Sequence, residues 1–305
     1  MASPATVLIT GGSGLIGQHL TALLLHHGYK VIHLSRSAHS GDVPTYQWDI
    51  GQGQIDERAI QQADHIIHLA GAGIADKRWT KARQQVILDS RVQSTALLAK
   101  ALQSVDHQVK SFISASAIGY YGDRNAEWLT EESDPGQDGF LEEVCVAWEK
   151  AVDEVTTLGV RTVKIRIGVV LAREGGALPK LVQPMRFGLA TYFGDGQQYY
   201  SWIHVEDLAR QFLFAIEQEH LRGVYNAVAP NPITNKAFTK AVRSGLPQTA
   251  LLLPAPSFAL RLALGQMADA VLYSARVSAD KIQKAGFSYK WTSVAEAVRD
   301  LYSHS

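Results

Sequence analysis

Thr10-Gly11-Gly12-Ser13-Gly14-Leu15-Ile16-Gly17 carries the strongest structural signal in the chain. It follows an apolar strand pattern at residues 6–10 and opens an apolar helical pattern at residues 15–27. Glycines at these spacings allow a tight turn, a close approach of the backbone to a pyrophosphate, and close packing of helix on strand. The helix N-terminus adds free N–H groups and a positive dipole end. A glycine-rich turn without a ligand is the alternative, but the strand–turn–helix context favours a dinucleotide site contacted by Gly11, Ser13, Gly14, Leu15, Ile16 and Gly17.

Short apolar strand patterns alternate with longer helical patterns through the first 230 residues. The predicted strands are residues 6–10, 30–34, 65–69, 111–115, 162–167 and 223–228, and the predicted helices are 15–27, 82–103, 140–158 and 205–218. This alternation predicts an α/β protein with a doubly wound, parallel-sheet Rossmann domain. We expect residues 1–171 to form that domain, with 203–230 rejoining its sheet. Residues 172–305 should form a smaller, mostly helical substrate lobe, interleaved with it.

Composition excludes several classes of protein. Of the 305 residues, 46% are hydrophobic and 19% charged, which is typical of a globular chain. Lys+Arg and Asp+Glu number 29 each, so no basic excess indicates a nucleic-acid or membrane partner. The most apolar stretch, residues 250–264, is interrupted by Pro254, Pro256 and Arg261, which argues against a membrane span. We expect a small-molecule partner, and the sequence does not indicate an oligomeric state.

Cysteine usage and the first residues indicate the compartment. Cys145 is the only cysteine, so an internal disulfide is impossible. The first ten residues run into a strand pattern with no basic start and no cleavable apolar segment. Both features predict a cytoplasmic protein. No Cys/His cluster has metal-ligand spacing, so we expect no metal site.

The end of the second predicted strand, Ser35-Arg36, indicates which dinucleotide binds. NAD enzymes usually carry Asp or Glu here, because a carboxylate bonds the ribose hydroxyls. A carboxylate would repel the 2′-phosphate of NADP, whereas the Arg36 guanidinium pairs with it bidentately. We therefore expect Ser35 and Arg36 to contact NADP (NADPH in its reduced form). A solvated surface arginine is the alternative interpretation.

Three further segments suit the same ligand. Asp49 and Ile50 precede the third predicted strand and are candidates to cover the adenine. Leu69-Ala70-Gly71 ends that strand, at the carboxyl edge where ligands bind in such sheets. Lys77-Arg78-Trp79 follows on the same side, and Arg78 is a candidate for an anionic group of cofactor or substrate. An ordinary turn, a strand end and a solvated loop are the respective alternatives.

These motifs, together with Ser114-Ala115-Ser116-Ala117-Ile118-Gly119-Tyr120-Tyr121-Gly122, resemble the extended short-chain dehydrogenase/reductases. More narrowly, the chain resembles an epimerase-like subgroup labelled nucleoside-diphosphate-sugar epimerases of the SulA type. The resemblance extends over essentially the whole chain, through segments at residues 75–80, 194–204, 225–230 and 286–287. It implies an NADP-dependent oxidoreductase or epimerase acting on a small polar carbonyl or hydroxyl compound, with nucleotide sugars among the candidates.

The catalytic residues that the resemblance implies are incomplete. Family members use a Ser and then Tyr-x-x-x-Lys on the following helix, where Lys assists proton exchange by Tyr. Ser116 matches the Ser, but residues 140–150 contain no tyrosine. Tyr120 is the first substitute as proton donor and Tyr121 the second, unless they pack the lobe interface. A non-catalytic NADP(H) sensor is therefore the alternative function.

A motif in the second half of the chain supplies candidate substrate contacts. Gln198, Trp202 and His204 precede a predicted helix whose first turn carries Glu206 and Asp207. The two acids suit the positive end of the helix dipole. His204 is a candidate acid or base, and a structural histidine that fixes the loop is an equal alternative.

Overall fold

The fold is built on one large twisted sheet. The structure is a computed structural model that describes residues 4–37, 41–137 and 139–303. Residues 1–3 and 304–305, the outer ends of the expected domain ranges, lie outside the described residues. Eight strands pair in the order β13-β8-β6-β5-β1-β2-β3-β4. All neighbouring pairs are parallel except β3 and β4 at the edge. The strands of this sheet are β1 Thr6–Thr10, β2 Lys30–Ser35, β3 Thr45–Asp49, β4 Gln54–Ile55, β5 His65–His68, β6 Ser111–Ala117, β8 Arg161–Ile167 and β13 Gly223–Ala227.

Helices cover the sheet, with α1 packed beside α6 and α3 packed beside α4. The predicted doubly wound α/β architecture is therefore confirmed. These helices are α1 Leu15–His26, α2 Arg58–Gln62, α3 Lys81–Ser104, α4 Phe140–Thr157 and α6 Val205–Glu217.

The first helix illustrates how the sequence produces this packing. Gly17, Leu20, Thr21 and Leu24 are its buried residues, and their spacing of three and four places them on one face. The helix ends at His26 with His27 as its C-cap, and Gly28 follows with a positive φ of 81°. Glycine adopts that left-handed conformation without a Cβ penalty, so the chain turns back into β2.

The strand order places a ligand cleft. β1 has β2 on one side and β5 on the other, so the crossover direction reverses between β1 and β5. The loops that leave the carboxyl ends of these strands diverge to opposite faces and open a crevice. The first six residues of β6 are buried and its last, Ala117, is partly exposed. This burial is expected for a central parallel strand that is covered on both faces.

A second lobe sits on this sheet and has its own core. Leu178, Trp202, Phe238 and Val298 are among its buried residues. Its helices are α5 Leu178–Met185, α7 Asn235–Ser244, α8 Ser257–Leu264, α9 Asp269–Leu272 and α11 Val294–Ser303. The short helix α10 Asp280–Lys284 instead packs against β13, and its Ile282 joins the core of the large sheet.

Short strands outside the large sheet, which the sequence did not predict, lie in the second lobe and in the loop after β6. They form two-stranded pairs, of which β16 with β7 links the lobe to the loop after β6. These strands are β7 Trp128–Leu129, β9 Val169–Leu171, β10 Leu189–Phe193, β11 Tyr199–Tyr200, β12 Trp202–His204, β14 Ile233–Thr234, β15 Leu251–Ala255 and β16 Arg276–Val277. Over the part of the chain that the structure describes, no helix has both the length and the apolar character needed to cross a bilayer.

Candidate active site and cofactor cleft

The glycine turn after β1 is packed tightly around Gly11, Gly12 and Gly17, and a Cβ on Gly12 would lie 2.5 Å from the His33 ring. A Cβ on Gly17 would lie 2.4 Å from the Gly11 carbonyl oxygen and 2.6 Å from Gly12 Cα. Gly11 has a φ of 70°, and its Cβ would lie 3.1 Å from the Leu69 and Ala70 backbone. These glycines therefore bring helix α1 against the turn and the turn against the loop after β5.

The N-terminus of α1 is exposed and lies beside the second lobe. Gly14 is its N-cap, in an extended conformation, and no side chain caps the helix. Ser13 and Gly14 are exposed, whereas Ile16 packs on the core of the sheet. Leu15 reaches the second lobe, because Cβ atoms built on Gly175 and Gly176 would lie 3.6 Å from its side chain. The first N–H groups of α1 are thus available to a ligand held between the two lobes.

A buried histidine fixes the loop after β5, the segment expected to touch the cofactor. Thr10 Oγ1 accepts from the Leu69 and Ala70 N–H groups, so its own proton is directed to His68 Nδ1, 2.7 Å away. The hydroxyls of Ser94 and Thr95 donate to a backbone carbonyl and lie 3.2 and 3.1 Å from His68 Nε2, which must donate to them. Both ring nitrogens are satisfied only when the imidazole is neutral.

Burial lowers the pKa of His68 to about 3, and that of His65 to about 4. A histidine that stays neutral in the native state binds fewer protons than the unfolded chain below pH 6.5, so stability falls as the pH drops toward the native pKa. We expect His68 alone to remove about 2 kcal/mol of unfolding free energy between pH 7 and pH 5. Urea unfolding of His68→Asn at these two pH values should show a smaller difference than wild type. The exposed His220→Gln is the control, and an unchanged difference in His68→Asn would contradict the assignment.

The residues at the end of β2 and β3 lie at the same edge of the sheet. Ser35 is partly exposed and Arg36 is exposed directly after it. Asp49 ends β3, where its Oδ1 accepts from the Gln52 N–H and closes the turn into β4. Ile50 packs against the core of the sheet. A guanidinium at Arg36 is therefore near the cleft, while Asp49 already has a role in its own turn.

Arg78, the candidate for an anionic group of cofactor or substrate, is exposed and contacts the second lobe, and its role toward a ligand stays a prediction. Its Nη2 donates to the Leu262 carbonyl of α8, 3.0 Å away, and thereby ties the loop after β5 to the second lobe. The neighbouring Trp79 is buried against Phe140, with ring centroids 5.1 Å apart. Arg78 therefore links this loop to the second lobe, whereas Trp79 packs the loop on helix α4 of the sheet domain.

Ser116 belongs to a buried network of charged and polar groups. Its hydroxyl donates to Glu149 Oε1 at 2.7 Å. Arg166, on β8, pairs with both oxygens of Glu149, at 2.8 and 2.9 Å. Although burial opposes the charged guanidinium, the hydrogen bonds and charge of Glu149 raise the pKa of Arg166. The expectation that Ser116 donates to a substrate oxygen is thus corrected, since its proton is directed to a carboxylate and its lone pairs remain for a donor.

The two candidate tyrosines have different surroundings. Tyr121 is fully buried, donates to Asn226 Oδ1 at 2.7 Å and accepts from Arg166 at 3.0 Å. Burial raises the pKa of Tyr121 to about 12. Tyr120 is half-buried, with the Arg166 guanidinium carbon 3.4 Å from its ring centroid. Tyr121 is therefore a structural residue, and of the two only Tyr120 keeps access to a ligand.

Helix α4 presents Cys145 and Glu149 toward the end of β6, four residues apart like the Tyr and Lys of the family pattern. Cys145 lies close to Ala117 and Gly119, and burial raises the pKa of its thiol to about 12. The sequence analysis noted the missing tyrosine but missed Glu149. A signal was available, since Glu149 repeats in phase with Cys145, Trp148 and Val152 on the buried face of the helix.

A cavity of about 510 Å³ lies between the loop after β6 and the second lobe. Gln198 lines it, held by a hydrogen bond from its Nε2 to the Phe193 carbonyl at 3.1 Å. Tyr273 lines it as well, and burial, followed by nearby carboxylates, raises the pKa of its phenol. The sequence analysis missed most of the lining, which also includes Asp123, Asp195, Gln197 and Ser257.

The expectation that Trp202 and His204 contact a substrate needs correction. Trp202 is 1% exposed within the core of the second lobe. His204 is 3% exposed, accepts from the Glu206 N–H as the N-cap of α6, and stacks on Trp291 at 3.7 Å. Burial lowers the pKa of His204. Both residues fix the second lobe, and neither lines the cavity.

Comparison with known proteins assigns the family. The sequence profile of the NAD dependent epimerase/dehydratase family matches residues 7–227. The chain belongs to this family. A second profile, a domain of unknown function designated DUF1731, matches residues 255–301. The epimerase family protein Mb2239 of Mycobacterium bovis is 37% identical over 296 residues, covering 96% of both chains.

Solved structures agree with this assignment. The crystal structure of the human epimerase family protein SDR39U1 (isoform 2) with NADPH has a TM-score of 0.88 and 31% identity, covering 98% of this chain and all of that one. The nucleoside-diphosphate sugar epimerase of Corynebacterium glutamicum has a TM-score of 0.80 and 34% identity. The matched region covers 98% of this chain and 58% of the Corynebacterium glutamicum chain. The resemblance to epimerase-like short-chain dehydrogenase/reductases is therefore confirmed.

Proposed function

We propose that this protein binds NADP(H) in the cleft after β1, β2 and β5 and acts as an oxidoreductase or epimerase on a small polar carbonyl or hydroxyl compound. The observation that carries the proposal is the uncapped N-terminus of α1 beside the strand-order reversal. There Gly14 leaves free N–H groups in front of a turn that side chains at Gly11 or Gly17 would block. The crystal structure of the human relative with NADPH supports the same cofactor.

The residues of the cleft fit a dinucleotide phosphate. Backbone N–H groups of residues 15 and 16 would hold the pyrophosphate, since the Gly14 N–H already donates to the Gly11 carbonyl, and Arg36 would hold the 2′-phosphate at the end of β2. A bound nicotinamide supplies a hydride donor or acceptor at its C4. Ser116 would accept a hydrogen bond from a substrate hydroxyl, and Tyr120 would exchange a proton with the substrate oxygen. The 510 Å³ cavity, which Gln198 lines, would hold a small-molecule substrate.

We expect Arg36→Ala to narrow the preference for NADPH over NADH. A charge-assisted phosphate contact contributes about 1.5–3 kcal/mol, or roughly tenfold to a hundredfold in affinity. Fluorescence titration of both cofactors measures the ratio of the two dissociation constants. Arg222→Ala is the control, because this exposed arginine precedes β13 at the opposite edge of the sheet. Equal affinity of the wild type for the two cofactors would remove the NADP assignment.

A cofactor-binding sensor is the second candidate. The observation in its favour is that α4 offers Cys145 and Glu149 instead of Tyr and Lys, and that Ser116 is hydrogen-bonded within the protein. Mass spectrometry of ligands that purify with the protein separates the two functions. A bound hydroxyl or carbonyl compound that exchanges hydride with NADP(H) supports the enzyme. A bound cofactor with no such compound, and no exchange with a panel of polar carbonyls, supports the sensor.

A further inference from the structure

The cavity of about 510 Å³ between the loop after β6 and the second lobe is lined by more negative than positive side chains. The loop after β6 supplies Asp123, shortly after Tyr120, and the turn after β10 supplies Asp195. Among the lining residues, all of which belong to the described part of the chain, Arg261 is the one cation. Its Nη1 donates to Asp269 Oδ1 at 2.8 Å, so it already has a counter-charge within the protein.

A backbone hydrogen bond holds each of the two carboxylates that line the cavity. Asp123 Oδ1 accepts from the Ser274 N–H at 3.1 Å, and Asp195 Oδ1 accepts from the Gln197 N–H at 2.9 Å. Within residues 4–37, 41–137 and 139–303, neither Oδ2 accepts a hydrogen bond and neither carboxylate forms an ion pair. One oxygen of each carboxylate is therefore left for a ligand.

The phenol of Tyr273, in the same lining, responds to this excess of negative charge. Burial is the first cause that raises its pKa, and the carboxylates of Asp269, Glu142 and Asp123 follow in that order. Arg261 opposes them as the smallest contribution. The phenol therefore stays protonated and can donate a hydrogen bond to a ligand.

These charges disfavour a phosphorylated substrate and favour hydroxyl groups. A phosphate would bring negative charge beside Asp123 and Asp195, and juxtaposed like charges weaken binding. Hydroxyl groups instead donate to carboxylates in strong, charge-assisted hydrogen bonds. The amides of Asn125, Gln197 and Gln198, which also line the cavity, both donate and accept. Hydroxyl groups match them in both roles, whereas an ammonium group only donates.

We propose that this cavity binds an unphosphorylated polyhydroxyl compound, whose hydroxyl groups donate to the Oδ2 atoms of Asp123 and Asp195. The inference rests on the proposed function, since it names the substrate class of the same cavity. It argues against nucleotide sugars, which the family resemblance placed among the candidates. Asp123 and Asp195 are then the residues that determine this specificity.

The experiment compares the same compounds with and without phosphate. The probes are glucose, ribose and myo-inositol, their monophosphates, and UDP-glucose. Saturation-transfer NMR measures their dissociation constants on the free protein and on its NADPH complex. The variants are Asp123→Asn, Asp195→Asn and the double variant, because asparagine keeps the oxygen that accepts from the backbone and removes the charge. Circular dichroism and thermal unfolding establish that each variant is folded.

The double variant Glu217→Gln, Glu219→Gln is the charge-matched control. Both glutamates are exposed at the C-terminal end of α6, and the charge of Glu219 acts on Arg161 at the amino end of β8. Ligands bind at the carboxyl ends of the strands in such a sheet, so this control should leave every dissociation constant unchanged.

We expect wild type to bind an unphosphorylated probe at least about tenfold more tightly than its phosphate. The Asp123→Asn, Asp195→Asn double variant should shift the two affinities in opposite directions. The unphosphorylated probe loses about tenfold, because neutral hydrogen bonds replace charge-assisted ones. UDP-glucose gains about tenfold, because the repulsion is removed. A general disturbance of the cavity would instead weaken both.

The proposal is overturned if a phosphorylated probe binds wild type as tightly as its unphosphorylated partner, or if no unphosphorylated probe binds at about 10 mM. These comparisons use wild type alone, so they decide the question even if a variant does not fold. A wild-type protein that binds no NADPH would overturn the proposed function instead. The titrations of the free protein then test the cavity separately.

Discussion

Gly14→Val should abolish NADPH binding and leave the protein folded. Gly14 has an ordinary φ of −76°, and its Cβ would meet one protein atom, the Gly11 carbonyl oxygen at 3.3 Å. The branched side chain would therefore project away from the protein, over the N–H groups of α1. That space is where a pyrophosphate must approach the backbone. We expect a loss of more than about a hundredfold in affinity, or about 2.7 kcal/mol.

Fluorescence titration measures this loss, and urea unfolding measures the stability. Gly41→Val is the matched control, because a Cβ there meets nothing within 4 Å. Gly17→Ala provides a contrast. Its Cβ would collide with backbone atoms of Gly11 and Gly12, so both stability and binding should fall. Undiminished NADPH binding by folded Gly14→Val would exclude the glycine turn from the site.

The strongest local patterns in the sequence predicted most strands of the large sheet. Short strands and strands rich in polar residues were not predicted. The strands β1, β5 and β6 are apolar runs bounded by turns, and the glycine turn fixes where α1 begins. The strand β3 (Thr45–Asp49) reads Thr-Tyr-Gln-Trp-Asp, with one buried residue, and lacks the apolar run of a central strand. The two-residue strands outside the large sheet pair with strands that are distant in sequence, so no local sequence pattern predicts them.

The sequence predicted the part of the candidate site that depends on backbone geometry. It predicted less well the residues whose role depends on where the side chain points. The glycine turn follows from residue type, because only glycine leaves the space that Gly11 and Gly17 leave. Trp202 and His204 stand in a recognisable motif, yet a motif does not reveal whether a side chain faces a cavity or a core. The buried face of α4 carries Glu149, whose polar position on an apolar helix face indicated a partner elsewhere. That partner, Arg166, lies on β8, whose sequence Arg-Thr-Val-Lys-Ile-Arg-Ile mixes charged and apolar residues although most of them are buried.

Arg166→Met should lower the unfolding free energy by about 3–5 kcal/mol, because it leaves the buried Glu149 carboxylate without its counter-charge. Both partners are nearly inaccessible, with side-chain exposures of 3% and 8%, so water cannot replace the lost bonds. Ser116 would remain as a neutral donor to Glu149, which is too little to compensate a full charge. Tyr121 would also lose the donor that fixes its hydroxyl. The loss is therefore expected in stability, before any effect on chemistry.

Urea unfolding of single and double variants tests this account. Arg166→Met combined with Glu149→Met should recover a large part of the loss, because removing both charges avoids the unpaired one. Arg261→Met is the control, since its ion pair with Asp269 is 57% and 24% exposed and such pairs contribute at most about 1 kcal/mol. If the double variant is less stable than Arg166→Met alone, the unpaired carboxylate is not the cause. The packing of the guanidinium on Tyr120, which both variants lose equally, would then be the dominant contribution of Arg166.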